Sequence, residues 1–119
     1  MLSIAAQRSV RVFLCLTPVD MRRSFDGLAA AVEQELCANP LSGHLFVFRG
    51  KRGDRLKVLF WDTDGYVIWY KRLEKGTFRF PQDSSSAKEI SPAELGMLLE
   101  GIDLGSVRRQ KRFSLFSNV

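Results

Sequence analysis

Two aspartates beside a predicted tight turn are the residues of this chain with the most obvious catalytic potential. Asp62 and Asp64 stand two positions apart, and a pair of carboxylates can hold a catalytic magnesium ion. Aspartates in turns also accept hydrogen bonds from their own backbone. The turn interpretation is favoured, because a nuclease core built around such carboxylates needs more strands and helices than 119 residues supply. A small metal-dependent nuclease is kept as a remote alternative.

The other motifs that could serve catalysis or cofactor binding are weak. His44 is accompanied by no Ser or Cys in a nucleophile motif. The glycine-flanked pair Lys51-Arg52 lacks the spacing and the following helix of a phosphate-binding loop, so it is predicted to form a basic hairpin tip. Cys15 and Cys37 are too few for a disulfide framework and are predicted to be buried thiols. We therefore predict no catalytic residue, no metal site and no cofactor.

The composition permits a polyanionic partner without requiring one. Eighteen Lys and Arg face thirteen Asp and Glu, which gives a net charge of +5. Apolar and aromatic residues make up 45% of the chain, enough for the core of one domain. No apolar run approaches the ~20 residues that cross a bilayer, and the first residues are a poor signal peptide. A cytoplasmic protein without membrane contact is expected.

The spacing of apolar residues predicts two helices. Asp20 is a typical N-cap for a helix over residues 21–37, where apolar residues recur every three or four positions. Gly27 weakens this helix, which indicates either a close packing contact at that position or a later helix start. Ser91 and Glu94 have the spacing of a capping box, which predicts the start of a second helix.

Short apolar runs separated by turn residues predict the strands. The runs with strand character are residues 9–16, 45–49, 55–61, 66–73 and 77–80. Asp64-Gly65 is a hairpin signal, and residues 82–88 are predicted to be a loop. The order predicts an α+β fold, an antiparallel β-meander of about four to five strands packed with two helices. A single domain over residues 1–105 is expected, followed by a basic tail over residues 106–119 whose flexibility is left open.

Alternation of side chains along two of these strands divides the meander into two faces. The hairpin pairs Phe60 with either Trp69 or Val67, and both registers leave the same residues on each face. The apolar face, predicted to be core, carries Leu56, Val58, Phe60, Val67, Trp69 and Leu73, with Lys71 as the exception. The mixed face carries Arg55, Lys57, Leu59, Trp61, Tyr66, Ile68, Tyr70 and Arg72.

The mixed face is typical of a nucleic-acid-binding sheet. Its cations attract phosphates, and its aromatic rings can stack on unpaired bases. Two alternatives remain open: long cations lying over aromatic neighbours on a half-exposed sheet, or a face covered by a helix or by another chain. In the second case, an exposed aromatic strand could pair with a partner or a second copy, as a protein–protein module or homo-oligomer without DNA contact.

Basic residues outside the sheet enlarge the candidate surface. Arg22 and Arg23 are predicted in the first turn of the first helix, where cations are unfavourable with the helix dipole. Contact with an anion and plain solvent exposure are equally compatible with that position. Residues 108–112 add a basic cluster that favours non-specific attraction. The candidate residues for nucleic-acid or partner binding are Arg22, Arg23, Arg49, Lys51, Arg52, Arg55, Lys57, Trp61, Tyr70, Lys71 and Arg72.

A resemblance to a known family rests on four segments in a fixed order. They are DMRRSFDGL at 20–28, GHLFVFRGKRGDRLKVLFWDTDGY at 43–66, YKRLEKGTFRFP at 70–81 and LLEGID at 98–103. Together they cover most of residues 10–105 and resemble the small accessory proteins called TnpB in bacterial insertion sequences of the sixty-six type. The chain departs from the family pattern at Arg49-Gly50 and at Arg79-Phe80-Pro81.

The resemblance implies a role in transposition without a reaction. In such elements a separate, larger transposase carries the catalytic carboxylates, so the expected function is that of a non-catalytic accessory protein. It would act as an adaptor that binds the transposase of the same element, the element DNA, or both. The RNA-guided nucleases that share the TnpB name are several times longer and are a different class.

Overall fold

The structure, a computed structural model, describes residues 9–103 and 108–109 and shows a five-stranded mixed sheet with two helices. This confirms the predicted α+β class. In chain order the elements are β1 (Val12–Cys15), α1 (Phe25–Leu36), β2 (Leu45–Arg49), β3 (Arg55–Asp62), β4 (Gly65–Arg72), β5 (Ala87–Ile90), α2 (Pro92–Leu99), β6 (Ile102–Asp103) and β7 (Arg108–Arg109).

The strand order in the sheet is β4-β3-β2-β1-β5. Strands β2, β3 and β4 form the antiparallel meander, and β5 pairs antiparallel with β1. Strand β1 runs parallel to β2, because α1 connects the two and returns the chain to the same end of the sheet. Both β1 and β2 therefore finish at the same end, which decides where the following loops lie.

The last strand of the sheet was predicted in the wrong place. Residues 77–80 form no strand: Phe78 and Phe80 are buried, and the Phe78 N–H donates to the Gly53 carbonyl (2.8 Å). Strand β5 instead begins inside the predicted loop over 82–88. Its sequence, AKEI, has weak strand propensity, so pairing along β1 sets its conformation rather than local preference.

The first helix begins later than predicted, and Asp20 is not its cap. Helix α1 begins at Phe25 with Ser24 in the N-cap position. Residues before it form a turn in which Asp20 accepts the N–H of Arg22 on its side chain (2.9 Å). Gly27 also has the predicted close contact, since a Cβ there would lie 3.1 Å from the Arg23 Cβ. Both readings of Gly27, a close contact and a later start, therefore hold.

The predicted capping box of the second helix is confirmed. The Ser91 hydroxyl accepts the Glu94 N–H (3.0 Å), and the Glu94 carboxylate accepts the Ser91 N–H (2.9 Å). These bonds satisfy two donors that a helix start otherwise leaves without partners. Leu95, Leu98 and Leu99 on α2 are buried.

The core has one layer on each side of the sheet. The apolar face of β3 and β4 packs with α2 and with Phe78 and Phe80, as predicted for a core face. On the other side, α1 packs on Phe46, Phe48 and Leu59, with Tyr66 and Ile68 at the margin. A helix therefore covers the middle of the mixed face. That was one of the alternatives left open.

The hairpin between β3 and β4 selects one of the two predicted registers. Phe60 pairs with Val67 and Asp62 with Gly65, which makes Thr63 and Asp64 the turn residues. Thr63 adopts a left-handed conformation (φ 55°), so the turn lies one residue earlier than the Asp64-Gly65 signal indicated. The division into two faces does not depend on this shift.

The two thiols differ in exposure. Cys15 is buried, as predicted, and burial raises the pKa of its thiol. Cys37 is exposed rather than buried, and it ends α1 in a left-handed conformation (φ 50°). Both are free cysteines.

Two observations concern the ends of the chain and the membrane. Strand β7 lies within the predicted tail over 106–119 and pairs with β6, while the rest of that tail lies outside the described residues. No helix within residues 9–103 combines the length and apolar character that a bilayer crossing demands.

Candidate nucleic-acid interface

The sheet topology brings most of the candidate cations to one end of the molecule. Strands β1 and β2 finish there, β3 begins there and β4 returns there. Backbone hydrogen bonds from Val19 to Arg49 (3.0 Å) and from Leu73 to Asp54 (2.8 Å) hold the connecting segments against it. We call this end of the sheet the basic end. Its cations are Arg22, Arg23, Arg49, Lys51, Arg52, Arg55, Lys71, Arg72, Lys75 and Arg79.

The turn between β2 and β3 projects from the basic end and separates two clefts. The aspartate cleft, ≈ 520 Å³ in volume, has the charged residues Asp20, Arg22, Lys51, Arg52, Asp54 and Arg55 in its lining. The arginine cleft, ≈ 490 Å³ in volume, has Arg49, Lys51, Arg52 and Arg79 in its lining, and no Asp or Glu among the described residues that line it. Lys51 and Arg52 are exposed and belong to both clefts, as expected for a basic hairpin tip.

Close approaches of the backbone set the shape of this turn. A Cβ at Gly50 would lie 2.7 Å from the Met21 Cγ, so a larger residue there would have to displace the Met21 side chain. Gly53 has φ +80°, and its Cβ would lie 3.2 Å from the Thr77 Cβ. The turn is therefore held between the two segments that form the outer walls of the clefts.

Arg22 is exposed but already paired with a carboxylate. Its Nη2 lies 2.7 Å from an Asp20 oxygen, and its Nε also donates to Asp20. The Arg22 guanidinium holds the pKa of the Asp20 carboxyl well below its usual range, so the pair stays charged in the folded protein. Arg23 is exposed and forms no salt bridge among the described residues.

Cross-strand neighbours link Arg55, Tyr70 and Arg72 at the start of β3. Arg55 lies opposite Arg72 in the ladder, a like-charge pairing that is unfavourable without other partners. Arg55 Nη1 donates to the Tyr70 hydroxyl (3.2 Å), and Arg72 Nη2 lies 3.0 Å from Glu74 Oε1. Tyr70 is 47% exposed, so its ring is available to a partner at this end.

Lys57 is buried rather than exposed. Its side chain is only 7% exposed, and it is the one buried charged residue in the described part of the chain. The Lys57 ammonium donates to the Arg23 carbonyl (2.7 Å) and lies 4.7 Å from the centre of the Tyr70 ring. Lys57 thus holds the turn before α1 against β3. In this position its ammonium group is not accessible to a binding partner.

Trp61 does not lie with the other candidates. It is half-buried near the opposite end of β3, where its ring meets Tyr66 edge to face at 5.1 Å. The structure therefore brings only one of the two stacking candidates, Tyr70, to the basic end.

The carboxylates considered for catalysis are arranged as turn residues. Asp62 and Asp64 are exposed around the β3–β4 turn, and the Asp64 N–H donates to the Asp62 carbonyl. No group of three His, Cys, Asp or Glu with metal-binding geometry occurs in the part of the chain that the structure describes. The His44 Nδ1 accepts the Arg11 N–H (3.0 Å), a structural contact.

Sequence reasoning missed Arg79 as a candidate. The signal was the alternation in Phe78-Arg79-Phe80: both phenylalanines are buried, so the arginine between them is exposed. Because this segment was assigned to a strand of the sheet, its proximity to the β2–β3 turn could not be seen.

Comparison with known proteins identifies relatives along nearly the whole chain. A family model described as IS66 Orf2 like protein matches residues 10–109. The uncharacterized protein y4jC of Sinorhizobium fredii is 41% identical over 107 residues, covering 90% of this chain and 92% of the relative. The uncharacterized protein y4hO of the same organism is 46% identical over 96 residues, covering 81% and 84%. No solved structure gives a significant match.

Proposed function

The chain belongs to the family of IS66 Orf2-like proteins, and from this premise we propose that it is a non-catalytic adaptor that binds element DNA through its basic end. The family associates the chain with an accessory role in transposition and with the transposition machinery of such elements. Direct DNA contact, and its location at the basic end, are the parts added by this proposal.

One observation carries the proposal: the fold collects cations at one end, and the described part of the chain provides no carboxylate partner for the most protruding ones. Lys51, Arg52 and Arg79 form no salt bridge among the described residues. Exposed cations without partners can neutralise phosphates and release condensed counterions, which is the main source of sequence-independent DNA affinity. The exposed ring of Tyr70 beside Arg55 adds a surface for stacking on an unpaired base.

The direct test is a salt-titrated binding assay with a duplex that carries the terminal sequence of the element. The logarithm of the affinity should fall linearly with the logarithm of salt between about 50 and 200 mM. The assay is run with and without the transposase of the same element. Absence of binding at about 50 mM salt would remove the direct-DNA proposal and leave an adaptor that contacts protein alone.

Releasing Arg22 from its carboxylate should strengthen DNA binding. In Asp20→Asn the amide oxygen can still accept the Arg22 N–H, but the ion pair is lost and Arg22 becomes available to phosphate. We expect a few-fold higher affinity at about 50 mM salt and a salt slope steeper by about one.

The same substitution alters acid stability in a defined direction. Because the pKa of Asp20 is lowered on folding, its contribution to stability is present above the unfolded pKa and is lost as pH falls. In Asp20→Asn the free energy of unfolding should therefore decrease less as the pH falls. Unchanged DNA affinity in a variant with that altered acid profile would show that Arg22 does not face the DNA.

A second candidate function is supported by the edge of the sheet. Strand β4 is an edge strand of eight residues, with Tyr66, Val67, Ile68 and Trp69 only half-buried. Such an edge presents backbone donors and acceptors that can pair with a strand of another chain. It favours a protein–protein module or a homo-oligomer that extends the sheet at β4.

Hydrogen exchange at different protein concentrations distinguishes this second function. If β4 pairs with a second copy, its outward amide groups should lose protection on dilution, while those of the central strand β2 stay protected. Light scattering on the same samples should show dissociation over the same concentration range. A monomer with concentration-independent exchange would exclude self-association at this edge.

A further inference from the structure

The arginine cleft contains a partly buried cation, Arg49, that forms no salt bridge within the described part of the chain. Arg49 is half-buried at the end of β2, and none of the described residues that line the cleft around it is an Asp or Glu. Partial burial lowers the pKa of its guanidinium, in keeping with a charge that has lost water without gaining a counter-charge. Cations withdrawn from water in proteins are normally paired with an anion.

The surrounding residues hold the Arg49 side chain in one place. Its guanidinium carbon lies 4.6 Å from the centre of the Phe80 ring, and its Nη1 donates to the Phe78 carbonyl (3.3 Å). Phe78 is fully buried and Phe80 nearly so, which fixes the ring and the carbonyl to the core. Guanidinium has five N–H donors, so the bond to Phe78 leaves donors for a ligand.

Three further cations surround the same space. Arg79 lies beside Phe80, and Lys51 and Arg52 form the opposite wall; all three are exposed. The planar guanidinium fork matches two oxygens of a phosphate group, and Arg is the residue typical of such sites. The cleft volume, ≈ 490 Å³, lies within the range of small-ligand sites.

We propose that the arginine cleft seats a phosphate group of the bound nucleic-acid strand, with Arg49 and Arg79 as the residues that hold it. This inference rests on the proposed function and deepens it. Lys51 and Arg52 attract the polyanion at the surface, whereas Arg49 and Arg79 fix the position of one phosphate and so set how the strand lies across the basic end.

Two substitutions test the cleft, each with a different structural risk. Arg79→Ala removes an exposed cation and leaves both buried phenylalanines, while Arg49→Lys keeps the charge and removes the planar fork. Lys88→Ala is the matched control, because Lys88 is an exposed cation that belongs neither to the basic end nor to the cleft lining. Arg79→Ala should weaken binding about tenfold at 0.1 M salt and reduce the salt slope by about one.

Arginine side-chain NMR adds a readout that does not depend on affinity. The Nε–H resonances of Arg49 and Arg79 should shift when DNA is added, whereas that of Arg11, which is paired with Glu89, should not. Duplexes with a 5′-phosphate and a 5′-hydroxyl end, and inorganic phosphate, are titrated in parallel. Shifts with both duplexes indicate an internal phosphodiester, and shifts with the 5′-phosphate duplex alone indicate a strand terminus; each supports the proposal.

Two results would overturn the inference, and they differ in what they leave standing. If Arg79→Ala and Arg49→Lys bind DNA as the unmodified protein does and their resonances do not shift, the cleft is not the phosphate site, while DNA binding through the basic end stands. If inorganic phosphate shifts both resonances but no DNA binds, the nucleic-acid assignment fails together with the proposed function.

Discussion

Replacing Lys51 and Arg52 together by alanine is expected to weaken DNA binding by about ten- to a hundredfold at 0.1 M salt. Both side chains are exposed at the tip of the β2–β3 turn, both line the two clefts, and neither forms a salt bridge within the described residues. Removing two phosphate contacts should also reduce the slope of log affinity against log salt by about two. The measurement is fluorescence anisotropy of a labelled duplex across a salt series.

The matched control for this double variant removes the same charge elsewhere. Arg11→Ala with Lys88→Ala takes two exposed cations from the β1–β5 side of the sheet, and neither residue lines either cleft. If affinity depended on net charge alone, both double variants would weaken binding equally. Equal losses would therefore contradict a localised interface, even with steep salt dependence.

Lys51→Ala/Arg52→Ala is also expected to fold normally. Both side chains are exposed, and surface substitutions of this kind change stability within about 0.5 kcal/mol. Thermal unfolding of the variant beside the unmodified protein checks this. A loss of affinity with an unchanged melting temperature assigns the effect to the interface.

Substitution of Lys57 is expected to have the largest effect on stability among the candidate cations. Lys57→Ala leaves a void under the turn before α1 and removes the donor to the Arg23 carbonyl. The two losses together should cost about 2–4 kcal/mol. Urea unfolding followed by circular dichroism measures this free energy.

A second Lys57 variant separates packing from hydrogen bonding. Lys57→Met keeps the length of the side chain but has no donor for the Arg23 carbonyl, so its cost should be smaller, about 1–2 kcal/mol. Lys88→Ala is the control of the same residue type on an exposed strand position, with an expected change within about 0.5 kcal/mol.

DNA binding by these variants discriminates between two roles of Lys57. If Lys57 only positions the turn, Lys57→Met should retain most of the affinity and the full salt slope. A slope reduced by about one with unchanged stability would mean that the ammonium contacts phosphate, contrary to its position beneath the Arg23 carbonyl.

Features that depend on neighbouring residues in the chain were predicted well. The Ser91–Glu94 capping box involves groups three residues apart, so its geometry follows from local sequence. The apolar face of β3 and β4 follows from the alternation of side chains along each strand. A shift of the strand pairing by two residues leaves every side chain on the same face. The predicted fold class rested on these local signals.

Features that depend on long-range pairing were predicted less well. Asp is a residue type typical of an N-cap, but the Asp20 side chain binds Arg22, and the helix begins only at Phe25. Strand β5 has no propensity signal of its own and forms because β1 offers a partner. Lys57 alternates with apolar residues as an exposed cation would, yet the turn before α1 lies over it.

The candidate interface shows the same division. The sequence by itself determined that cations surround the strand ends and that Lys51-Arg52 occupies a glycine-flanked tip, because charge and turn preference are local properties. Only the tertiary structure decided that Arg49 and Arg79 line one cleft, that Lys57 is buried and that Trp61 lies at the far end. The parallel pairing of β1 with β2 and the contact of Phe78 with Gly53 produce that arrangement, and both join residues far apart in the chain.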